Sequence, residues 1–221
     1  MGLTMVVVLQ GMYLASLPPG VPVSSRVDCV SRCYHQGNCS SVFYDGSTKK
    51  CQLSAEVFLE RDLTSTHTNM QYLEWKEDDC DKGYTWYRSL GLCYKIYTST
   101  KSWFQANHTC NQDGGYLIKV DSLGINAFMN KISDSYSAFV WVNGLEDSVT
   151  GKWTWSDGTL INTTYWDVTQ PDSGPVQQCI LVRAGADNVN GWHDYFCHYD
   201  NAVPMFVCQV NLKEVIQIGM C

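Results

Sequence analysis

Oxygen-bearing side chains stand on both sides of one proline in the run Gln170-Pro171-Asp172. A rigid proline turn can present an amide and a carboxylate in the same direction. Calcium is bound by six to eight hard oxygens of these kinds, supplied by carboxylates, amides and backbone carbonyls. The side chains of this run are therefore of the types that could contribute to a calcium site.

A second group of metal-ligand types follows closer to the C-terminus: His193, Asp194, His198 and Asp200. It has the composition of a zinc site, but its two histidines lie on either side of Cys197 in the sequence, and we expect Cys197 to form a disulfide. The remaining histidines are scattered along the chain: His35, His67 and His108. Because no nucleophile motif is present either, we expect neither a zinc centre nor an enzyme.

Composition places the chain among globular proteins of one or two domains. It has 221 residues, of which 45% are hydrophobic and 17% charged, and its formal net charge is −7. This balance is too apolar for a disordered chain. A net negative charge without a lysine- or arginine-rich run excludes a nucleic-acid partner.

The eleven cysteines indicate an oxidising compartment. No pair has the C-x2-C spacing of a structural zinc site, so disulfides are the expected use of these side chains. Three Asn-x-Ser/Thr sequons, at Asn38, Asn107 and Asn162, agree with this compartment. The sequence predicts a secreted, extracellular, disulfide-bonded glycoprotein.

The N-terminal apolar run Met5-Val6-Val7-Val8-Leu9 has two interpretations. It could be a signal peptide cleaved near Ala15-Ser16, but no basic residue precedes Arg26. Alternatively, Thr4 to Leu14 forms the first strand of a domain and ends at the turn Pro18-Pro19-Gly20. We favour the strand, which would place the signal upstream. No stretch reaches the ~18 apolar residues of a membrane span.

Cysteine spacing divides the chain into two domains and a tail. Four cysteines lie between Cys29 and Cys51, and six more between Cys80 and Cys208. The gap between the groups ends in a charged run, which is typical of a linker. We therefore predict domains at 1–78 and 80–210, followed by a tail at 211–221.

The first domain has the pattern of a small α+β module. Ser24 or Ser25 can cap a helix that carries Cys29 and Cys33 one turn apart. A strand at 42–44, a turn at Asp45-Gly46 and a strand at 51–53 form a hairpin. Four cysteines allow three pairings, and we favour the nested one, Cys29–Cys51 with Cys33–Cys39, because it keeps both bridges near the helix.

The run C-V-S-R-C-Y-H-Q-G-N-C-S-S-V-F-Y, followed by K-C-Q-L, resembles the PAN/apple module of secreted proteins. The resemblance covers about residues 3–76. Such modules bind proteins or carbohydrates, and a role as a structural spacer is equally compatible with the pattern.

The second domain begins with two helices. Tyr84, Trp86 and Tyr87 precede them as apolar anchors of a short hairpin. The first helix carries Trp103, Ala106 and Cys110 on one face, with Ser99 or Thr100 as its cap. The second is capped by Ser122, and its inner face carries Ile125, Phe128, Met129 and Ile132. Five tryptophans fall at inward positions and are expected in the core: Trp103, Trp141, Trp153, Trp155 and Trp192.

Three runs follow in order: W-V-N-G-L, W-S-D-G and W-H-D-Y-F-C. Together with the cysteines, this series resembles a C-type lectin-like domain of the long form. The resemblance implies an α+β fold with two helices, antiparallel sheets and a long loop region. It also implies the disulfides Cys80–Cys93, Cys110–Cys208 and Cys179–Cys197. Cys221 is then left over, either as a free thiol or as the link of a disulfide-bonded dimer.

The resemblance implies that Gln170-Pro171-Asp172 is the tripeptide with which this family holds calcium. It also implies that the same side-chain oxygens bind two hydroxyls of a sugar. The implied calcium ligands are Gln170, Asp172, Asp194 and Gln177, and the implied sugar contacts are Gln170, Asp172, Asp194 and His193. The Gln-Pro-Asp order is the galactose type. The family's aromatic platform is missing after it, where Ser173-Gly174-Pro175 stands, so Tyr165 and Tyr195 are the candidates to replace it.

Two positions depart from the family pattern. Gln177 stands where a glutamate ligand is usual, and His193 where an asparagine is usual. We therefore expect weak calcium binding, toward ~10⁻⁴–10⁻³ M. The predicted function is calcium-dependent glycan binding, with protein partners for the PAN-like module. The alternative is a protein-interaction molecule whose calcium site is degenerate.

Overall fold

The computed structural model describes residues 4–14, 16, 18–65, 69–77, 80, 83–172, 174–183, 191–198 and 204–211. Contacts divide the chain into two compact units. The first contains the described residues up to Cys93 together with Asn211, and the second contains Tyr94–Val210. The limits 1–78, 80–210 and 211–221 remain our proposal for the domains.

The first unit is built on a five-stranded sheet in the order β1-β7-β4-β5-β3. Its strands are β1 (Thr4–Gln10), β3 (Val21–Pro22), β4 (Ser41–Asp45), β5 (Lys50–Ser54) and β7 (Met70–Lys76). A two-stranded sheet pairs β2 (Met12–Tyr13) with β6 (Thr64–Ser65). The helix α1 (Arg26–His35) completes the α+β module, and β8 (Thr85–Tyr87) lies next to β9 (Leu92–Tyr97), within which the boundary between the units falls.

The N-terminal apolar run forms a strand. β1 pairs antiparallel with β7, and Val7 lies opposite Leu73. The register of this pairing shifts between Val7 and Leu9, where β1 has one residue more than β7, and the pairing continues to Gln10. The strand interpretation of Thr4 to Leu14 is thus confirmed for the sheet, with β2 following after Gly11.

α1 begins and is fixed as its sequence predicts. The Ser25 side chain accepts a hydrogen bond from the backbone N–H of Asp28, as an N-cap does. Cys29 and Cys33 are both fully buried and are bonded to Cys51 and Cys39. The bridge to Cys51 joins the helix to β5.

The hairpin after β4 differs from the predicted two-residue turn. Asp45 is the last residue of β4, and the connection runs from residue 46 to residue 49. The Asp45 carboxylate accepts hydrogen bonds from the backbone and hydroxyl groups of Ser47 and Thr48. These bonds lower the pKa of Asp45 to about 2. The side chain thereby closes a longer loop, which a turn dipeptide does not reveal.

Arg88 fastens the segment after β8 to the rest of the first unit. Its Nη1 donates to the carbonyl of Cys33 at 3.1 Å, and its Nη2 donates to the carbonyl of Tyr34 at 3.1 Å. Its guanidinium carbon lies 5.2 Å from the centre of the Trp75 ring. One cation therefore satisfies carbonyl groups near the end of α1 and stacks on an aromatic ring.

Replacing Arg88 by alanine is expected to lower the free energy of unfolding of the first unit by about 2 kcal/mol, because charged hydrogen bonds and a ring contact are lost. Arg88→Lys should lose most of the same energy, since it keeps the charge without the planar fork. Hydrogen–deuterium exchange of peptides from the first unit, recorded at increasing urea concentrations, would measure the free energy of unfolding of each variant. Arg32→Ala is the matched control, because the Arg32–Asp28 pair is surface-exposed and worth under ~1 kcal/mol. An equal effect of both alanine variants would contradict the prediction.

The second unit combines two helices with an antiparallel-rich sheet. Its elements after β9 are α2 (Trp103–Gln112), β10 (Tyr116–Leu117), α3 (Leu123–Tyr136), β11 (Val140–Glu146), β12 (Trp153–Thr154), β13 (Cys179–Arg183), β14 (Gly191–Tyr195) and β15 (Met205–Val210). The strand order is β14-β13-β11-β15-β9, with β10 beside β15 and β12 beside β11. β11 and β15 run parallel, which the predicted antiparallel sheets did not include.

The two helices carry the predicted inner faces, but one cap differs. α3 is capped by Ser122, as predicted. α2 is capped by Ser102 rather than Ser99 or Thr100: Ser102 and Gln105 form a reciprocal capping box. Ser102 directly precedes the first helical residue and has the glutamine partner three positions on, so its cap satisfies two backbone donors at once.

Tryptophans form much of the core of the second unit. Trp103, Trp141, Trp155 and Trp192 are buried. Trp153 is only half-buried, contrary to the prediction, because it lies on the short strand β12 and packs edge-on against Trp166, with 4.9 Å between ring centroids.

The disulfides beyond the first module join Cys80 to Cys93, Cys110 to Cys208 and Cys179 to Cys197. With the two bridges of α1, these are the same five pairs that were expected. Cys221 lies outside the described residues. Among the described helices, none is long and apolar enough to cross a membrane.

Candidate functional site

The candidate site lies where the long loop between β12 and β13 meets β14. The Trp192 backbone N–H donates to the Tyr165 carbonyl at 2.8 Å, and the Asp167 N–H donates to the Trp192 carbonyl at 3.0 Å. Gly191 allows this close approach, since a Cβ there would lie 2.6 Å from the Asp167 nitrogen. The loop is thereby held against the strand that carries Asp194.

The predicted tripeptide and Asp194 are brought together by this arrangement. The Gln170–Pro171 peptide bond is cis. The backbone N–H of Asp172 donates to Asp194 Oδ1 at 3.1 Å. Asp194 is 2% exposed, whereas Asp172 is exposed to solvent. One carboxylate therefore forms the buried base of the site and the other faces outward.

Gln170 supplies an oxygen whose hydrogen-bonding capacity is unused. Its Oε1 is buried and has no hydrogen-bond partner. A buried acceptor is rarely left unpaired in a native protein, so it marks a position for a cation or for a donor group. With the Asp172 and Asp194 carboxylates, it makes a hard-oxygen donor set that suits calcium.

The two departures from the family pattern also have defined surroundings. Gln177 is half-buried and follows a 3₁₀ turn at Gly174–Val176. The His193 Nε2 lies 3.1 Å from Asp167 Oδ2, and both side chains are largely buried. The ring nitrogen is thus engaged by Asp167. No sequence motif indicates this residue, because the pair is brought together only by the packing of the loop on β14.

The histidines do not assemble a zinc site in the described residues. The His198 ring packs against Phe104 of α2, with 4.7 Å between ring centroids, while His193 pairs with Asp167. Cys197 is bonded to Cys179. No group of three or more His, Cys, Asp or Glu in the described part of the chain has metal-binding geometry, and Asp200 lies outside that part.

The two tyrosines proposed as a sugar platform have different surroundings. Tyr195 follows Asp194 on β14, and its ring packs against the buried Trp141, with 6.2 Å between ring centroids. Tyr165 is half-buried and packs edge-on against Trp192, at 5.5 Å. Of the two, only Tyr165 belongs to the loop that carries the tripeptide. Ser173 lies outside the described residues.

The three sequons differ in exposure. Asn38 and Asn162 are exposed, whereas Asn107 lies half-buried on α2. The Oδ1 atom of Asn107 is buried without a hydrogen-bond partner. The side-chain amide of Asn107 is therefore the least accessible of the three.

Comparisons with known proteins agree with this architecture. Residues 99–210 match the lectin C-type domain family, and residues 7–77 match the PAN domain. C-type mannose receptor 2 of Mus musculus is 29% identical over 144 residues, which cover 64% of this chain but 9% of the receptor. C-type lectin lectoxin-Lio3 of Erythrolamprus poecilogyrus is 29% identical over 143 residues, covering 61% of this chain and 83% of the lectoxin. This chain thus spans a small part of the receptor.

The relatives include proteins other than lectins. The type-2 ice-structuring protein of Hemitripterus americanus is 31% identical over 105 residues, covering 48% of this chain and 61% of that protein. Among solved structures, the lectin domain of murine dendritic cell inhibitory receptor 2, in complex with N-glycan, has a TM-score of 0.52 at 24% identity and covers 60% of this chain and 98% of that one. That likeness shows the fold.

The family is a carbohydrate-binding and non-enzymatic one. The chain belongs to the C-type lectin domain family and carries a PAN domain before its lectin domain.

Proposed function

We propose that the protein is a secreted glycan-binding lectin whose calcium ion would be held by Gln170, Asp172 and Asp194, with Gln177 at the margin. The observation that carries this proposal is the buried, unpartnered Oε1 of Gln170 beside the linked Asp172 and Asp194. When bound, calcium would order these oxygens and share the hydroxyls of a sugar.

The residues of this chain would select the ligand by their hydrogen bonds. Gln170 and Asp172 accept from sugar hydroxyls, in the galactose-type order, and Tyr165 is the aromatic ring in the same loop. His193 would contact the sugar only through the ring edge that Asp167 leaves available. Binding of the full chain to a glycan array, with calcium and with EDTA, tests the proposal: galactose-terminated glycans retained only with calcium support it.

A second candidate function is protein recognition without calcium. It is favoured by His193, which stands where an asparagine is usual in the family and therefore offers no amide oxygen to calcium. The His193 ring is in addition engaged by Asp167. Gln177 likewise removes one carboxylate. In this case both the lectin domain and the PAN domain would bind protein surfaces.

Restoring the family's ligands is expected to tighten calcium binding. Gln177→Glu adds a carboxylate and His193→Asn replaces a nitrogen with an amide oxygen, so each should raise the affinity about tenfold. Calorimetric titration of calcium into the wild type and both variants measures this. If the wild type binds neither calcium nor sugar and the double variant binds both, the second candidate function is the correct one.

An extracellular protein of this kind can carry N-linked glycans and can act as more than one copy. Asn38 and Asn162 are the proposed glycosylated positions, because their side chains are exposed. Lectin contacts with single sugars are weak, so a second copy of the chain would raise the avidity.

We expect Cys221 to link two copies, since the other ten cysteines pair within the chain. A non-reducing gel of the secreted protein should show a dimer, and Cys221→Ser should convert it to monomer. A monomer in both samples would show that Cys221 is not a link.

A further inference from the structure

The sequon at Asn162 lies on the same long loop as the candidate sugar site. All three of its residues, 162–164, are exposed, and Gln170 follows eight positions after Asn162. The sequon comes directly after Ile161, whose backbone N–H donates to the Trp153 carbonyl at 3.0 Å. The attachment point of an N-linked glycan is therefore tied to β12.

The same loop is packed as one body between this attachment point and the site. The Trp166 ring packs edge-on against Trp153, with 4.9 Å between centroids, and against Trp192 of β14, with 5.7 Å. These contacts hold the middle of the loop to two strands. The distance from Asn162 to the site is therefore set by packing and does not vary as it would along a free chain.

An upper limit to that distance follows from chain geometry. The carbonyl of Asp167 accepts a hydrogen bond from the backbone N–H of Gln170 at 2.9 Å. Five residue steps from 162 to 167 span at most about 18 Å, and the hydrogen bond adds about 7 Å between the Cα atoms that it joins. The Cα atoms of Asn162 and Gln170 are therefore at most about 25 Å apart.

The chemistry of an N-linked glycan matches the ligand class proposed for the site. A complex-type glycan has antennae of several linked sugar rings, which cover a comparable length and end in galactose. The tripeptide 170–172 has the galactose-type order, and Asp172 is exposed beside it. A glycan on Asn162 would therefore bring the sugar that the site selects to within reach of the site.

We propose that the N-linked glycan of Asn162 is an intramolecular ligand of the calcium site and competes there with glycans on other molecules. This inference rests on the proposed function, because it uses the calcium and the galactose-type preference of that site. A chain whose glycan lacks terminal galactose has a free site. The glycosylation of the protein thereby sets its affinity for other glycans.

A tether makes even a weak contact significant. A flexible tether of this length holds its end at an effective concentration on the order of 1 mM. A shallow site for one small neutral ring is expected to have a dissociation constant of about the same size. The tethered galactose then occupies roughly half of the sites, so the apparent dissociation constant for free galactose doubles.

The test is frontal chromatography of the secreted full chain on immobilised galactose in calcium, which gives the apparent dissociation constant. Asn162→Gln and Thr164→Ala each remove the sequon without touching a proposed calcium ligand, and each should lower this constant about twofold. Wild type treated with β-galactosidase should show the same change, because it loses only terminal galactose. Asn38→Gln is the matched control: it removes an exposed sequon of the first unit and should change nothing.

The outcomes separate this inference from the proposed function. Equal retention of the wild type and both variants, or an unoccupied Asn162 in glycopeptide mass spectrometry, would overturn the inference and leave the lectin in place. Tightening in the variants but not after β-galactosidase would also reject it, because the glycan would then only obstruct the site. A difference that disappears on dilution would assign the glycan to a second copy of the chain. If no form is retained in calcium, the proposed function is wrong, and this inference with it.

Discussion

Asp172→Ala is expected to abolish both calcium binding and calcium-dependent sugar binding. Asp172 and Asp194 provide the carboxylates of the candidate site, and the second of them alone leaves too little negative charge to hold a divalent ion against its hydration. The loss should not come from unfolding, because Asp172 is exposed whereas the disulfides and the tryptophan core are buried. The expected result is no measurable calcium heat at millimolar concentrations.

The matched control is Asp121→Ala. Asp121 is an exposed carboxylate of the same lectin domain, outside the long loop, so its removal changes the net charge equally without touching the site. Calcium calorimetry and sugar binding would be compared for the wild type and both variants. Sugar binding by the lectin domain that survives Asp172→Ala, or that persists in EDTA, would show that the glycan is bound elsewhere.

Glu74→Gln is expected to stabilise the first unit at alkaline pH and to leave it nearly unchanged at pH 5. Glu74 is 8% exposed and lies on β7, which is paired on both sides by β1 and β4, and its Oε1 accepts a hydrogen bond from the Tyr72 hydroxyl at 2.8 Å. Burial raises the pKa of Glu74 from 4.5 to about 7. The folded chain therefore binds this proton more tightly than the unfolded chain does.

The sign of the pH dependence follows from that shift. The stability that the protonated carboxyl contributes is fully present below pH ~4.5 and is lost as the pH rises through ~7, a change of about 3 kcal/mol. Glutamine keeps the acceptor for Tyr72 but has no charge to bury. Glu74→Gln should therefore exceed the wild type by about 2–3 kcal/mol at pH 8.

Urea unfolding of the first unit, followed by hydrogen–deuterium exchange at pH 5 and pH 8, would measure the difference. Glu60→Gln is the control, since Glu60 is an exposed carboxylate on the 3₁₀ turn Glu60–Asp62 and should show no such change. A wild-type first unit that gains stability between the two pH values, with Glu74→Gln following the same course, would contradict the prediction.

Local sequence signals were sufficient for much of the secondary structure. The sequence predicts Ser122 as one helix cap and either Ser24 or Ser25 as another, because a short hydroxyl side chain reaches the backbone donors two or three residues on; the structure selects Ser25. The buried face of α3 follows from a 3.6-residue period. Four of the five tryptophans that the sequence assigns to the core are buried in the second unit. Where several local partners competed, as at Ser102 and around Asp45, the same kind of signal was misassigned by a few residues.

The family motifs determined the fold and the position of the candidate site, since each motif residue contributes to a fixed local geometry. Only the tertiary structure decided which side chains meet across long separations. The pairing of His193 with Asp167 and the reach of Arg88 to Cys33 both depend on elements far apart in the chain. No periodicity or spacing encodes such contacts, because they arise from how strands and loops pack, and the packing depends on the whole sequence at once.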